Sequence, residues 1–246
     1  MSTKPKKAFV LAAGIGERMR PLTNNCPKPL LVIDGKTMLD RALDDLVEAG
    51  VEEVVVNTHY LGHMITDHLK NRKLPHITLS PETELLETAG GVKKMLPFFG
   101  DEPFFVLNAD VLWTSGKEPT LKALANKWDS AKMDLLLLLQ PAENAPEYEG
   151  PPDYYMPESF GQPLFAKGPE RKTDQKANYV VAGPRIVHPR LFENSPDGKF
   201  SFLQLFHKAE KAGRLYGLRH EGEWYHVGTP EAFAETNRIL AKKRAG

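Results

Sequence analysis

The sequence contains a single cysteine, Cys26, and no long apolar run. An intramolecular disulfide is therefore impossible, and a redox role for the cysteine has little support. The first residues, MSTKPKK, are basic, but only about six apolar residues follow them, too few for a signal peptide or a membrane helix. These absences favour a cytoplasmic protein that does not bind a membrane.

The chain also has no excess of charge of either sign. Its 246 residues include 32 basic and 32 acidic side chains. No overall field therefore attracts nucleic acid or an anionic surface. We expect small-molecule partners and no nucleic acid, and any recognition of phosphate must be local.

What the sequence does have is an alternation of strand and helix patterns. An apolar run at 8–12 is followed by helical spacing of apolar residues from Met38 and by a second predicted strand at 54–57, which begins with three valines. Such alternation is typical of an α/β fold with a parallel sheet. We expect one domain over 1–246, with an irregular or hairpin insertion at about 141–176, where proline, glycine and tyrosine are frequent.

The first predicted strand runs into a glycine-rich segment, LAAGIGERMRPLTNNCPKPL. Gly14 and Gly16 would let the backbone turn its N–H groups towards an anion, and Arg18 and Lys28 would add positive charge. A Gly-x-Gly pair alone is equally often a tight turn. The segment is not a Walker A loop, because no Gly-Lys-Ser/Thr follows, and it is not a dinucleotide fingerprint, because Met19 replaces the third glycine.

Two further segments could contribute to the same site. Asp110 ends an apolar run, and α/β folds bind ligands at the carboxyl ends of their strands, although aspartate is also a common turn residue. The segment 82–91 precedes a predicted helix at 92–96. Thr88 could cap that helix, and the two glycines after it are either turn residues or positions that a base or sugar approaches closely.

These segments resemble the signature of sugar-1-phosphate nucleotidyltransferases. The match comprises L-A-A-G-x-G-x-R-M-R-P-L-T, the P-K-P-L that follows, and N-x-D at 108–110. The resemblance implies a Rossmann-like fold, α/β, with a mixed, mostly parallel sheet sandwiched by helices. It implies two substrates, a nucleoside triphosphate and a sugar 1-phosphate, bound by a first half at about 1–115 and a second part at about 116–230.

The resemblance also implies roles for single residues. Arg18 and the glycine loop would hold the leaving pyrophosphate, Lys28 would neutralise the α-phosphate, and Asp110 would bind Mg²⁺. Further nucleotide contacts would come from Ala12, Ala13, Gly14, Gly16, Glu82, Thr88, Gly90 and Asn108. Sugar contacts would come from Glu87, Gly91 and Gly183.

The sequence departs from the family pattern at His226. It stands in W-Y-H-V-G-T-P, where the family has W-x-D-x-G-T-P and the aspartate is the second metal ligand. Imidazole suits Mn²⁺ or another transition metal better than Mg²⁺. His226 could therefore bind a softer metal, hold a metal-bound water or phosphate, or be replaced by a carboxylate such as Glu223. Loss of activity is the fourth alternative.

Within the family, the chain looks most similar to the N-acetylmuramate-1-phosphate uridylyltransferases of cell-wall recycling. The features that carry this similarity are L-E-T-A-G-G at 86–91 and the E-G-x-W-x-x-V-G-T segment. Mannose-1-phosphate guanylyltransferase is the alternative enzyme, and a non-catalytic nucleotide-sugar sensor is the alternative outside enzymes. We expect a monomer or a small homo-oligomer.

The last third of the sequence predicts five more elements. A strand at 178–187 is interrupted by Gly183, which indicates a bulge, and a helix follows at 202–212. Apolar runs at 215–218 and 224–227 flank the turn Glu-Gly-Glu, which predicts a hairpin. A final helix is expected at 230–242, with proline in its first turn and basic residues at its end.

Overall fold

The computed structural model describes residues 4–145, 148, 150–156, 164–166 and 177–245. Its strands are β1 (Lys7–Leu11), β2 (Val32–Ile33), β3 (Lys36–Thr37), β4 (Glu53–Thr58), β5 (His76–Pro81), β6 (Phe104–Asn108), β7 (Val111–Trp113), β8 (Leu135–Pro141), β9 (Tyr154–Tyr155), β10 (Phe165–Ala166), β11 (Tyr179–Val187), β12 (Leu215–Arg219) and β13 (Trp224–His226). Its α-helices are α1 (Met38–Glu48), α2 (Gly62–Leu69), α3 (Glu87–Lys94), α4 (Leu96–Phe99), α5 (Thr120–Lys127), α6 (Phe202–Lys211) and α7 (Pro230–Ala245). None of the helices in the described ranges is both long enough and apolar enough to span a bilayer.

One large mixed sheet runs through the molecule. β1 lies at its centre, between β4 and β6, and pairs in parallel with both, while β5 extends the parallel part beyond β4. β11 pairs antiparallel with β6 and β8, and β12 lies parallel to β8. The carboxyl ends of β1, β4 and β6 therefore meet at one edge of the sheet, as the α/β pattern predicts.

The central strands are buried on both faces, which explains their continuous apolar sequences. Phe9 and Val55 belong to the core on one side of the sheet, and Val10 and Val56 to the core on the other. Side chains alternate along a strand, so helices must cover both faces. α1 and α5 pack into one core, and α3 and α6 into the other.

The hairpin predicted in the last third of the chain is wrong. β12 pairs with β8 in the main sheet, and β13 pairs with β7 in a separate two-stranded sheet. The turn between them binds the end of β7: Thr114 N donates to Glu223 O, and Glu223 N donates to Thr114 Oγ1, both at 2.9 Å. A local pattern identifies a strand, but its partner depends on packing against distant residues.

Other boundaries also differ from the sequence-based expectations. The run at 30–33 is a strand only at β2, because Lys28–Leu30 forms a 3-10 helix with proline in its first turn. α3 begins at Glu87, so Gly90 and Gly91 lie inside the helix and not in a turn. Thr88 is not the cap of α3.

The insertion is described in part. β9 and β10 form an antiparallel pair, and β9 pairs with β11 at the edge of the main sheet. An irregular or hairpin insertion over about 141–176 stays a prediction. Positions 146, 147, 149, 157–163 and 167–176 of the predicted insertion lie outside the described residues.

Candidate active site

A cavity of about 730 Å³ opens at the carboxyl edge of β1, β4 and β6. The structure brings these predicted site residues together on its lining: Ala12, Ala13, Gly14, Gly16, Arg18, Lys28, Glu87, Thr88, Asn108 and Asp110. The lining does not include five other predicted site residues: Glu82, Gly90, Gly91, Gly183 and His226.

Different surroundings favour glycine at the two positions of the loop, Gly14 and Gly16. Gly16 has φ +71°, and a Cβ there would lie 3.1 Å from the Thr23 side chain and 3.3 Å from that of Lys28. A Cβ at Gly14 would meet no atom of the described residues within 4 Å. Packing among the described residues therefore requires glycine at 16, whereas at 14 a bare backbone facing the cavity favours a closely approaching ligand.

Lys28 and Asp110 form an ion pair across the cavity. Lys28 is 8% exposed, and its Nζ lies 2.9 Å from Asp110 Oδ2. The Asp110 side chain is 39% exposed and stands in the short connection between β6 and β7. The structure thus holds one buried cation and one accessible carboxylate in direct contact beside the glycine loop.

A buried hydrogen-bond network ties the glycine loop to the entrance of α3. The Asn57 side chain accepts a hydrogen bond from Ala12 N (2.7 Å) and donates one to Glu82 Oε1 (2.7 Å). Glu82 Oε2 accepts from Leu86 N at 3.0 Å. Asn57 and Glu82 are 2% and 6% exposed, so Glu82 supports the wall of the cavity instead of lining it.

Asn57 was not identified from the sequence. The available signal was a polar residue following three valines in a buried strand, since such a residue must find partners. Gly91 packs against the same network, where a Cβ would lie 2.6 Å from Glu82 Oε1.

Replacing Asn57 by alanine should lower the free energy of unfolding by about 2–4 kcal/mol, because Ala12 N–H and the Glu82 carboxylate would each lose a buried partner. Urea denaturation measures this. Asn126→Ala is the control, since Asn126 is exposed and bonds only to surface side chains among the described residues, and its effect should stay within about 0.5 kcal/mol. Equal midpoints for the two variants would contradict the structural role of the network.

α3 and the segment before α6 fit closely together. Ala89 N and Gly90 N both donate to Phe200 O, at 3.1 and 3.2 Å, and a Cβ at Gly90 would overlap Gly198 O. Thr88 Oγ1 accepts from Phe202 N at 3.0 Å, at the start of α6. Gly90 therefore serves packing of these two elements, and Thr88 satisfies an N–H group of α6.

His226 lies beside the cavity at the end of β13. It pairs with Val111, the residue after Asp110, and its ring stacks on Trp224 with centroids 5.7 Å apart. Burial lowers the pKa of His226, and so do the positive charges of Lys28 and Arg18, against the opposing effect of Asp110. Both effects favour the neutral imidazole, which has one unprotonated nitrogen with a lone pair.

Gly183 marks the bulge that the sequence predicts in β11. Its φ is +108°, and the register of β11 against β8 shifts between Val181 and Arg185. A Cβ at Gly183 would lie 3.4 Å from the side chain of Val111. The bulge therefore abuts the strand that follows Asp110, and a sugar contact at Gly183 stays a prediction.

Comparison with known proteins agrees with this geometry. The family model described as "Nucleotidyl transferase" matches residues 7–150, which include the glycine loop, Lys28 and Asp110. The chain is 39% identical to the N-acetylmuramate alpha-1-phosphate uridylyltransferase of Caulobacter vibrioides, over 98% of this chain and 100% of that protein. It is 34% identical to the protein of the same name from Neisseria meningitidis serogroup B, over 91% of this chain and 93% of that protein.

The fold is shared with a solved structure. The crystal structure of UDP-glucose pyrophosphorylase complexed with UDP-glucose superimposes with a TM-score of 0.78 at 22% identity, covering 97% of this chain and 99% of that one. This likeness confirms the predicted fold class. With the family match over the glycine loop and the aspartate, and with relatives aligned along nearly the whole chain, the protein belongs to the nucleotidyltransferase family.

Proposed function

We propose that this enzyme joins UTP to N-acetylmuramate 1-phosphate and releases pyrophosphate, as a cytoplasmic step of cell-wall recycling. The observation that carries the reaction type is the Lys28–Asp110 pair beside the glycine loop, inside a cavity large enough for a nucleotide. The choice of base and sugar is supported by the relatives of that name.

The reaction is a displacement at the α-phosphorus of the nucleotide. An oxygen of the sugar 1-phosphate forms the new bond to phosphorus, and the bond to the bridging oxygen of pyrophosphate breaks. The attacking phosphate is already ionised, so no general base is required. Catalysis then rests on positioning and on neutralisation of charge.

The residues on the cavity lining suit these tasks. The backbone of Gly14 to Gly16 and the guanidinium of Arg18 would hold the leaving pyrophosphate. Lys28 would neutralise the α-phosphate as a compact charge, and its burial keeps it in place between Pro27 and Pro29.

A divalent cation fits this site only with help from the substrates. No cluster of three or more histidine, cysteine, aspartate or glutamate side chains suited to a metal occurs in the described part of the chain. Asp110 and His226 would supply two donors, and Mg²⁺ commonly combines one or two protein ligands with substrate phosphates. The cation, when bound, would offset negative charge on the phosphates.

Replacing His226 by aspartate should raise the ratio of activity in Mg²⁺ to activity in Mn²⁺ about tenfold or more, because a carboxylate is the harder ligand. Initial rates across a titration of each metal measure the ratio. His63→Asp, an exposed histidine on α2, is the control and should leave it unchanged. An unchanged ratio for His226→Asp would exclude His226 as a ligand.

The proposed function is tested by pyrophosphate release with UTP, GTP, CTP, ATP and dTTP, each against N-acetylmuramate-, N-acetylglucosamine-, glucose- and mannose-1-phosphate, in Mg²⁺ and in Mn²⁺. Turnover restricted to UTP with N-acetylmuramate 1-phosphate is the expected result. Turnover with GTP and mannose 1-phosphate would establish the alternative enzyme. Binding of nucleotide sugar with no release from any pair would establish a sensor.

A further inference from the structure

Arg185 on β11 is a buried cation. It is 4% exposed, and no carboxylate pairs with it in the ranges that the structure describes, whereas Arg72 pairs with Asp40 and Asp44. Burial lowers the pKa of the Arg185 guanidinium to about 9. A buried, uncompensated charge destabilises a fold, so packing alone does not account for this arginine.

Arg185 contacts a residue that lines the cavity. Arg185 Nη1 donates to Gly183 O at 2.8 Å and to Asn108 Oδ1 at 3.0 Å. The guanidinium carbon lies 4.4 Å from the centroid of the Phe202 ring, while Nε is buried and has no hydrogen-bond partner in the part of the chain that the structure describes. Arg185 therefore sits directly behind Asn108, which ends β6 and lines the cavity.

This contact decides which way the amide of Asn108 points. Arginine can only donate hydrogen bonds, so the oxygen of the amide must face it. The amide nitrogen Nδ2 is left on the other side and has no partner among the described residues. Asn108 thus presents a donor two residues before Asp110.

We propose that Arg185 is a positioning residue that fixes the Asn108 amide so that its Nδ2 donates to an oxygen of the sugar 1-phosphate. This inference rests on the proposed function. The sugar phosphate is favoured over the nucleotide because Asn108 and Arg185 lie on the β6–β11 side of β1, next to Gly183, the expected sugar contact. Glu82, an expected nucleotide contact, follows β5 on the other side of β1. It also reassigns Asn108 from the nucleotide contact that the sequence suggested.

The test measures KM for each substrate separately in Asn108→Ala, Arg185→Met and the double variant. Each single change should raise KM for N-acetylmuramate 1-phosphate about tenfold or more and leave KM for UTP within about twofold, as expected for loss of one hydrogen bond to a charged group. The double variant should be no worse than the poorer single variant, because both remove the same interaction.

Two conservative variants separate positioning from structural support. Arg185→Gln keeps a neutral donor towards Asn108. Its KM for the sugar phosphate should therefore lie between that of the wild type and that of Arg185→Met. Asn108→Asp keeps the acceptor for Arg185, so it should fold with an unchanged or higher Tm, yet it lacks the donor and should raise KM for the sugar phosphate. This variant carries the test if Arg185→Met does not fold.

Arg72→Met removes a guanidinium that is paired with Asp40 and Asp44, and it should leave both KM values unchanged. Additive effects of the Asn108 and Arg185 changes, an effect on UTP alone, or a normal KM for Asn108→Asp would overturn the inference. A wild-type protein that turns over a different sugar 1-phosphate would refute the proposed substrate instead, and the same variants would then be measured with that sugar.

Discussion

Lys28→Ala should lower kcat about 100-fold or more, because it removes the preorganised charge that faces the α-phosphate. Lys28 is buried, and its Nζ is held 2.9 Å from Asp110, so no side-chain rearrangement is needed to place the charge. Lys28→Met keeps most of the length and bulk of the side chain and should be as inactive as the alanine variant. The measurement is pyrophosphate release at saturating concentrations of both substrates.

The control for charge is Lys36→Ala, which removes an exposed lysine paired with Asp44 and should change kcat less than about twofold. Both Lys28 variants should remain folded, because the Asp110 carboxylate that they leave behind is accessible to water. Wild-type turnover in Lys28→Met would refute the role of Lys28 and, with it, the proposed mechanism.

Asp110→Asn should also reduce kcat about 100-fold or more, and it should raise the metal concentration required for half-maximal activity. The substitution keeps the size of the side chain and changes its charge. Asp44→Asn is the matched control, because the Asp44 side chain, on α1, is 43% exposed and pairs with Lys36 and Arg72, and it should alter neither quantity. Full activity of Asp110→Asn at the wild-type metal concentration would exclude Asp110 as a ligand.

The two substitutions should differ in stability. Asp110→Asn leaves a lysine that is 8% exposed without its counter-ion, which should cost about 1–3 kcal/mol in urea denaturation. Lys28→Met leaves an accessible carboxylate and should cost less. We therefore expect Asp110→Asn to lose more stability than Lys28→Met.

The parallel half of the fold could be predicted because each of its strands carries its own signal. β1, β4 and β6 are continuous apolar runs, and burial on both faces requires that pattern wherever the strands pair. The pairing of β12 with β8 and of β13 with β7 could not be predicted in the same way. It depends on residues far apart in sequence, and the short acidic turn between β12 and β13 is equally compatible with a hairpin.

The residues of the candidate site also differ in whether the sequence alone predicts them. The glycine loop, Lys28 and Asp110 could be found because their order along the chain is itself the motif. Asn57 and Arg185 could not, because their importance appears only when Glu82 and Asn108 are in contact with them. A polar residue in an apolar strand shows that a partner must exist, but not which residue it is.

The position of Asp110 between β6 and β7 has a consequence for synthesis on the ribosome. β6 pairs with β11 and β7 pairs with β13, and both partner strands belong to the last third of the chain. Until those segments emerge, the nascent chain exposes the unpaired edge of β6, a surface prone to aggregation. The glycine loop and Asp110 are therefore synthesised early, whereas the strands that pair on either side of Asp110 are complete only after His226 has emerged.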